Sequence, residues 1–93
     1  MSDVEVEHRE NARRFTARTP AGLAYISYQQ PDAQTIDLQH TVVPEADRGR
    51  GVGSALVRAA FGHARAEGKR VVATCPFVKA WVEKHPEERD VVG

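Results

Sequence analysis

HTVVPEADRGRGVGSALVRAAFGHARAE, from His40 to Glu67, contains the pattern from which the architecture of this chain can be predicted. The residues before Pro44 have the character of a β-strand, and a long apolar run with helical spacing follows the last glycine of the loop. This order predicts a strand, a short turn, a loop of arginine and glycine, and a helix that begins directly where the loop ends.

The loop alternates glycine with arginine over residues 48–53 (RGRGVG). A glycine inside a helix costs about 0.5–1 kcal/mol relative to alanine, so three at a helix mouth indicate a backbone that approaches a ligand closely. The first N–H groups of a helix have no partner within it, and together with the helix dipole they attract phosphate. No Ser, Thr, Asp or Asn directly precedes the helix to cap these donors. The loop is therefore predicted to bind phosphate; the alternative is a flexible turn with solvated arginines.

The spacing of the loop excludes two common phosphate-binding motifs. A Walker loop ends in Gly-Lys-Ser/Thr, which occurs nowhere in the chain, and a dinucleotide fingerprint would place Ser54 or Leu56 at its last glycine. The pattern that fits is R-x-x-G-x-G, from Arg48 through Gly51 to Gly53.

Four alternating segments precede the loop, at residues 3–7, 13–18, 23–29 and 35–43, and short turns join them. This arrangement predicts an antiparallel four-stranded meander. In the last segment one apolar row comprises Ile36, Leu38, His40 and Val42.

The second half of the chain alternates helix and strand. A helix over residues 51–67, ended by Gly68, is followed by a short apolar strand at residues 71–75. Because the helix crosses over, that fifth strand is predicted to lie parallel to the fourth. A short helix from Pro76 to about His85 and a polar, loosely packed tail complete an α/β (α+β) fold.

Bulk properties restrict the class of protein. The 93 residues suffice for one small domain, predicted to span residues 1–93. Thirteen basic and thirteen acidic residues give a formal net charge of zero, which argues against a nucleic-acid partner. A single cysteine, no apolar run of about 20 residues and an acidic N-terminus predict a cytoplasmic protein without membrane partner or disulfide. We expect a monomer or weak homodimer.

Two side chains are candidates for chemistry, because ligands bind where neighbouring strands part at their carboxyl ends. Cys75 stands at the start of the second helix, where the dipole favours a thiolate, although a buried cysteine is usually a small hydrophobe. His40 could serve as general base or as a satisfied core histidine. Asp37 and Glu45 are alternative bases. The four histidines lack the spacing of a metal site, so no metal is predicted.

These features together resemble the Gcn5-related N-acetyltransferase (GNAT) superfamily, whose Q/R-x-x-G-x-G/A loop holds the pyrophosphate of acetyl-coenzyme A. Within it the chain is similar to the small, truncated YjdJ-type group over residues 35–87. The matching segments are HTVVP at 40–44, the RGRGVG loop, ARAEG at 64–68, CPFV at 75–78, WV at 81–82 and HPE at 85–87.

The resemblance implies an acyltransferase that transfers acetyl from acetyl-coenzyme A, its co-substrate, to an amine, with His40 and Cys75 as the reactive pair. The implied cofactor-binding residues are Thr41, Val42, Val43, Arg48, Gly49, Arg50, Gly51, Val52, Gly53, Ser54, Cys75, Phe77 and Trp81. One departure from the group is Trp81, which replaces a tyrosine and cannot donate a proton as a tyrosine does. Two alternatives therefore remain open: a non-catalytic acyl-coenzyme A binding or sensing module, and a plain interaction domain.

Overall fold

A single five-stranded sheet, in the order β1-β2-β3-β4-β5, is the centre of the structure, a computed structural model that describes residues 4–93. Its strands are β1 (Val6–Arg9), β2 (Arg14–Thr19), β3 (Gly22–Asp32), β4 (Thr35–Val42) and β5 (Arg70–Ala73). The helices are α1 (Val52–Glu67) and α2 (Pro76–Lys84), with short 3₁₀ turns at Glu10–Ala12, Glu45–Asp47 and Pro86–Val91.

The first four strands pair antiparallel in sequence order, and β5 pairs parallel to β4. This topology confirms the predicted meander and the parallel fifth strand. A parallel neighbour requires a crossover connection, and α1 supplies it across one face of the sheet.

The fifth strand ends at Ala73, two residues before its predicted end, and three other segments differ more from the prediction. The first strand begins at Val6 rather than at residue 3, and residue 3 itself lies outside the described residues. β3 continues through Pro31 and Asp32, so the turn before β4 contains only residues 33–34. The C-terminal tail is packed: Val91 is buried, and the Gly93 N–H donates to the Val71 carbonyl over 2.9 Å. The prediction of a loose tail is therefore wrong, because this segment adds to the edge of β5.

A β-bulge interrupts β4. Leu38 lies opposite Tyr28, but the next pair joins His40 to Ser27, so Gln39 is an extra residue on the β4 side. Because side chains alternate between faces, one extra residue moves every later side chain to the opposite face.

The consequence of the bulge is visible in the burial of the strand. Thr41 lies opposite the fully buried Ile26, whereas His40 and Val42 are exposed. The single apolar row predicted for this strand is therefore wrong beyond Leu38. Sequence alternation alone does not reveal the bulge.

The core lies between the sheet and the two helices. Leu56, Val57 and Phe61 on α1 are fully buried, and Phe61 contacts the Trp81 ring of α2 edge-on, with ring centroids 5.3 Å apart. α1 begins after Gly51, whose φ is 84°, and ends at Gly68, whose N–H donates to carbonyls of the last turn. The described residues 4–93 include no helix with the combined length and apolarity of a membrane span.

Replacing Leu56, which is fully buried, by alanine should lower the free energy of unfolding by about 2–5 kcal/mol, because the lost methyl groups leave a cavity. The matched control is Leu23→Ala, since Leu23 is 45% exposed and should change stability by less than about 0.5 kcal/mol. Urea unfolding followed by circular dichroism measures both, and equal losses would contradict the described core.

Alanine at Gly51 should destabilise the protein by about 1–2 kcal/mol, because a Cβ strains the left-handed backbone at φ 84°. Gly62 is the control within the same helix: no heavy atom lies within 4 Å of the position that a Cβ would take there, and its φ is not positive. Gly62→Ala should therefore stabilise α1 by about 0.5–1 kcal/mol. Thermal unfolding gives both signs, and a shift in the same direction for the two variants would refute this account of the helix start.

Candidate functional site

A cleft of about 530 Å³ opens where β4, the arginine–glycine loop and the first turns of both helices meet. Every residue in its wall except Asp47 belongs to the predicted cofactor-binding set. The wall comprises Thr41, Val43, Asp47, Arg48, Gly49, Gly51, Val52, Gly53, Ser54 and Phe77.

The first turn of α1 presents unpaired backbone donors to this cleft. The first helical hydrogen bond runs from the Ala55 N–H to the Gly51 carbonyl over 3.0 Å. The N–H groups of Val52, Gly53 and Ser54 have no backbone acceptor among residues 4–93, and no side chain caps the helix. Together with the positive end of the helix dipole, these donors favour an anion at this position.

The two arginines of the loop differ in position. Arg48 lines the cleft and Arg50 does not, although both side chains are exposed. Within the described part of the chain, neither guanidinium lies within 4.0 Å of a carboxylate. Arg48 therefore adds a positive charge beside the N–H groups of α1.

Asp47 is a residue of the cleft that the sequence did not indicate. Its side chain is buried, and its carboxylate accepts a hydrogen bond from the hydroxyl of Thr19, the last residue of β2. Its carbonyl accepts the Arg50 N–H over 3.2 Å. Asp47 thus connects the loop to the end of β2. Because Thr19 is 28 residues away in the sequence, no local pattern identifies this contact.

The strands β4 and β5 part beside the cleft. Their parallel pairing ends at Leu38 and Ala73, and the Cys75 N–H then donates to the Leu38 carbonyl over 2.9 Å. β4 continues to Val42, so among residues 4–93 its last four residues have no strand partner on that side. This is the opening between parallel strands at which open sheets bind ligands, and its free edge offers backbone hydrogen bonds.

The structure separates the two predicted reactive side chains. Cys75 is 4% exposed, and its sulfur lies 3.4 Å from the Thr41 hydroxyl oxygen, on the core side of β4. His40 leaves the strand on the other face, opposite Ser27, because of the bulge. Neither residue belongs to the cleft wall. The two members of the implied reactive pair therefore lie on opposite faces of β4, and their chemical roles remain predictions.

Phe77 and Trp81 occupy different surroundings although both belong to α2. Phe77 is 44% exposed, and its ring packs on Gly53, where a Cβ would stand only 2.8 Å from the ring. Trp81 is buried, and its indole N–H donates to the Ser54 hydroxyl over 2.7 Å. Trp81 therefore stabilises the first turn of α1 from its buried side. With Val42, Arg50 and Cys75, it is one of the predicted cofactor-binding residues outside the cleft wall.

Neither Tyr25 nor Tyr28 lies where it could replace the tyrosine that is Trp81 in this chain. The Tyr25 ring lies under the Arg14 guanidinium, 4.1 Å from its central carbon. The Tyr28 hydroxyl is 2.7 Å from the His8 Nε2, and burial raises the pKa of Tyr28. Neither residue belongs to the cleft wall. Of the alternative bases, Asp37 accepts a hydrogen bond of 2.5 Å from the Thr74 hydroxyl, and Glu45 is exposed.

Comparison with known proteins identifies this arrangement. Residues 14–91 match the family model described as GCN5-related N-acetyl-transferase. Protein NATD1 from Xenopus tropicalis is 34% identical over 87 residues, covering 91% of this chain and 80% of that protein. Protein NATD1 from Bos taurus is 35% identical over 85 residues, covering 89% and 75%.

A solved structure supports the same assignment. The solution structure of a GCN5-like protein from Staphylococcus aureus has a TM-score of 0.76 and 33% sequence identity, covering 100% of this chain and 91% of that one. The superfamily expected from the loop is thereby confirmed. From its sequence, its sheet topology and these relatives, the chain belongs to the GCN5-related N-acetyltransferase family.

Proposed function

We propose that the protein is an N-acetyltransferase that uses acetyl-coenzyme A to acetylate an amine, either a protein lysine or a small amine. The observation that supports this most directly is the set of free N–H groups at the start of α1. These groups face a cleft that lies beside the edge of β4 left without a partner where β5 ends. Family membership supports the same reaction class.

The diphosphate of acetyl-coenzyme A suits the loop. Its negative oxygens would accept hydrogen bonds from the N–H groups of Val52, Gly53 and Ser54, and Arg48 would add a charge-assisted contact. The positive φ of Gly51 supports this role, because it turns the backbone immediately before those donors.

The free edge of β4 suits the pantetheine arm. Amide groups of that arm would pair with the backbone of residues 41–43, as an added strand does. The acetyl group would then lie where β4 and β5 part, and a backbone N–H near Val42 would polarise its carbonyl.

The transfer forms a C–N bond to the amine and breaks the C–S bond of the thioester. We assign His40 as the base that takes the amine proton, since it is exposed at the end of β4 on the face away from α1. Cys75, beside Thr41, would donate its thiol proton to the departing thiolate of coenzyme A. Afterwards the His40 imidazolium would lose its proton to solvent, and the Cys75 thiolate would take one up. An acetyl-enzyme on Cys75 is the alternative route.

A second candidate function is a non-catalytic acyl-coenzyme A binding or sensing module. It is supported by the burial of Cys75 and by the absence of a tyrosine from the wall of the cleft that residues 4–93 form. Turnover measurements on a panel of amines separate the two functions: coenzyme A binding without release of free thiol on any amine would favour the sensing module.

Arg48→Ala should weaken coenzyme A binding by about tenfold or more, because a charge-assisted hydrogen bond contributes about 1.5–3 kcal/mol. Arg50→Ala is the matched control in the same loop and should change affinity much less, since Arg50 lies outside the cleft wall. Isothermal titration calorimetry measures both. Pantetheine, which lacks the diphosphate, should bind wild type and Arg48→Ala alike. Equal coenzyme A affinities for all three proteins would count against the loop assignment.

His40→Ala should lower kcat by about 10²–10⁴-fold, the usual contribution of a general base, while coenzyme A affinity stays near that of wild type. Release of free thiol in the presence of amine gives the rate. Cys75→Ser and intact-mass measurement after mixing with acetyl-coenzyme A separate the two routes: a stable acetyl adduct on wild type, absent from the serine variant, would replace direct transfer by the acetyl-enzyme. An unchanged kcat in His40→Ala would remove the assigned base.

A further inference from the structure

We infer that His8, Glu10 and His63 form a binding site for a divalent transition metal of the zinc class, separate from the cleft. One ligand atom from each side chain lies within 4.8 Å of the others. The residues come from the end of β1, the following 3₁₀ turn and the middle of α1, so only folding brings them together. Their sequence spacing of 2 and 53 residues explains why no metal motif is visible.

The three side chains can reach one ion after side-chain rotation. Ligand atoms lie about 2.0–2.2 Å from zinc, so in its tetrahedral geometry two ligand atoms are about 3.3–3.6 Å apart. Glu10 is exposed at the surface, so rotation of its side chain, with small shifts of the two imidazole rings, would bring the three ligand atoms to this spacing. The His8 and His63 rings already stand edge to face, with centroids 4.3 Å apart.

The His8 ring is fixed by two neighbours. Its ring stacks on Phe15, with centroids 4.1 Å apart and planes 7° from parallel. Its Nε2 lies 2.7 Å from the Tyr28 hydroxyl. A metal-bound histidine commonly donates its other ring N–H to a fixed oxygen, which sets the tautomer. If Nε2–H donates to the Tyr28 oxygen, the lone pair on Nδ1 is free for the metal.

The donor set decides the kind of ion. Two imidazoles and one carboxylate suit zinc and its transition-metal neighbours, whereas magnesium and calcium prefer oxygen ligands alone. Three protein ligands leave a fourth position for water. His63 follows Val52 by 11 residues along α1, about 16 Å of helix, so this ion would lie away from the cleft and join β1 to α1.

The test is zinc titration of the tag-free protein by isothermal titration calorimetry, with magnesium as the negative control. Wild type should bind one zinc per chain, and saturating zinc should raise Tm, because a ligand that binds only the folded state stabilises it. His63→Ala should weaken binding by roughly 100-fold or more, and Tyr28→Phe by about tenfold, since outer-shell changes alone cost about 10–100-fold. Glu10→Gln should weaken binding as well.

Two controls address adventitious zinc binding at other side chains. His40→Ala removes an exposed histidine elsewhere, and Cys75→Ser removes the single thiol; both should keep the affinity of wild type. Circular dichroism verifies that each variant is folded. The inference is overturned if wild type binds no zinc, if folded His63→Ala binds as tightly as wild type, or if His40→Ala or Cys75→Ser loses binding instead.

Discussion

The first turn of α1 is the constraint on which the cleft depends. Its N–H groups have no partner in the described chain, and such groups are stable only in contact with water or an anion. The left-handed backbone at Gly51 leads the loop into this turn without a side chain in the way. A helix start that favours anions therefore follows from backbone geometry, and the positive charge of Arg48 adds to this preference.

Two side-chain hydrogen bonds hold the loop and the first turn of α1 in place. The Trp81 indole on α2 donates a hydrogen bond to Ser54, and the Asp47 carboxylate accepts one from Thr19 at the end of β2. Neither contact occupies the free N–H groups. The tryptophan that replaces an expected tyrosine thus has a structural use: its ring fills the space between the two helices against Phe61.

The bulge in β4 determines the face of the sheet on which His40 and Thr41 lie. It places His40 on the exposed face and leaves Thr41 beside the buried Cys75. Because β4 extends beyond the last residue of β5, the end of β4 has a backbone edge without a strand partner. One extra residue therefore separates the exposed His40 imidazole from the buried Cys75 thiol, on opposite faces of the strand.

Local sequence was sufficient to predict three features of the fold. The antiparallel meander follows from the alternation of apolar residues, and the loop follows from its glycines. The parallel fifth strand follows from the crossover helix, because such connections have one preferred hand. Local sequence also indicated most of the cleft wall, since those residues are nearly consecutive. The face of His40, the burial of Trp81, the contact of Asp47 with Thr19 and the meeting of His8 with His63 became apparent only in the folded chain. Each of these depends on strand register or on residues far apart in the chain, and no local pattern encodes such contacts.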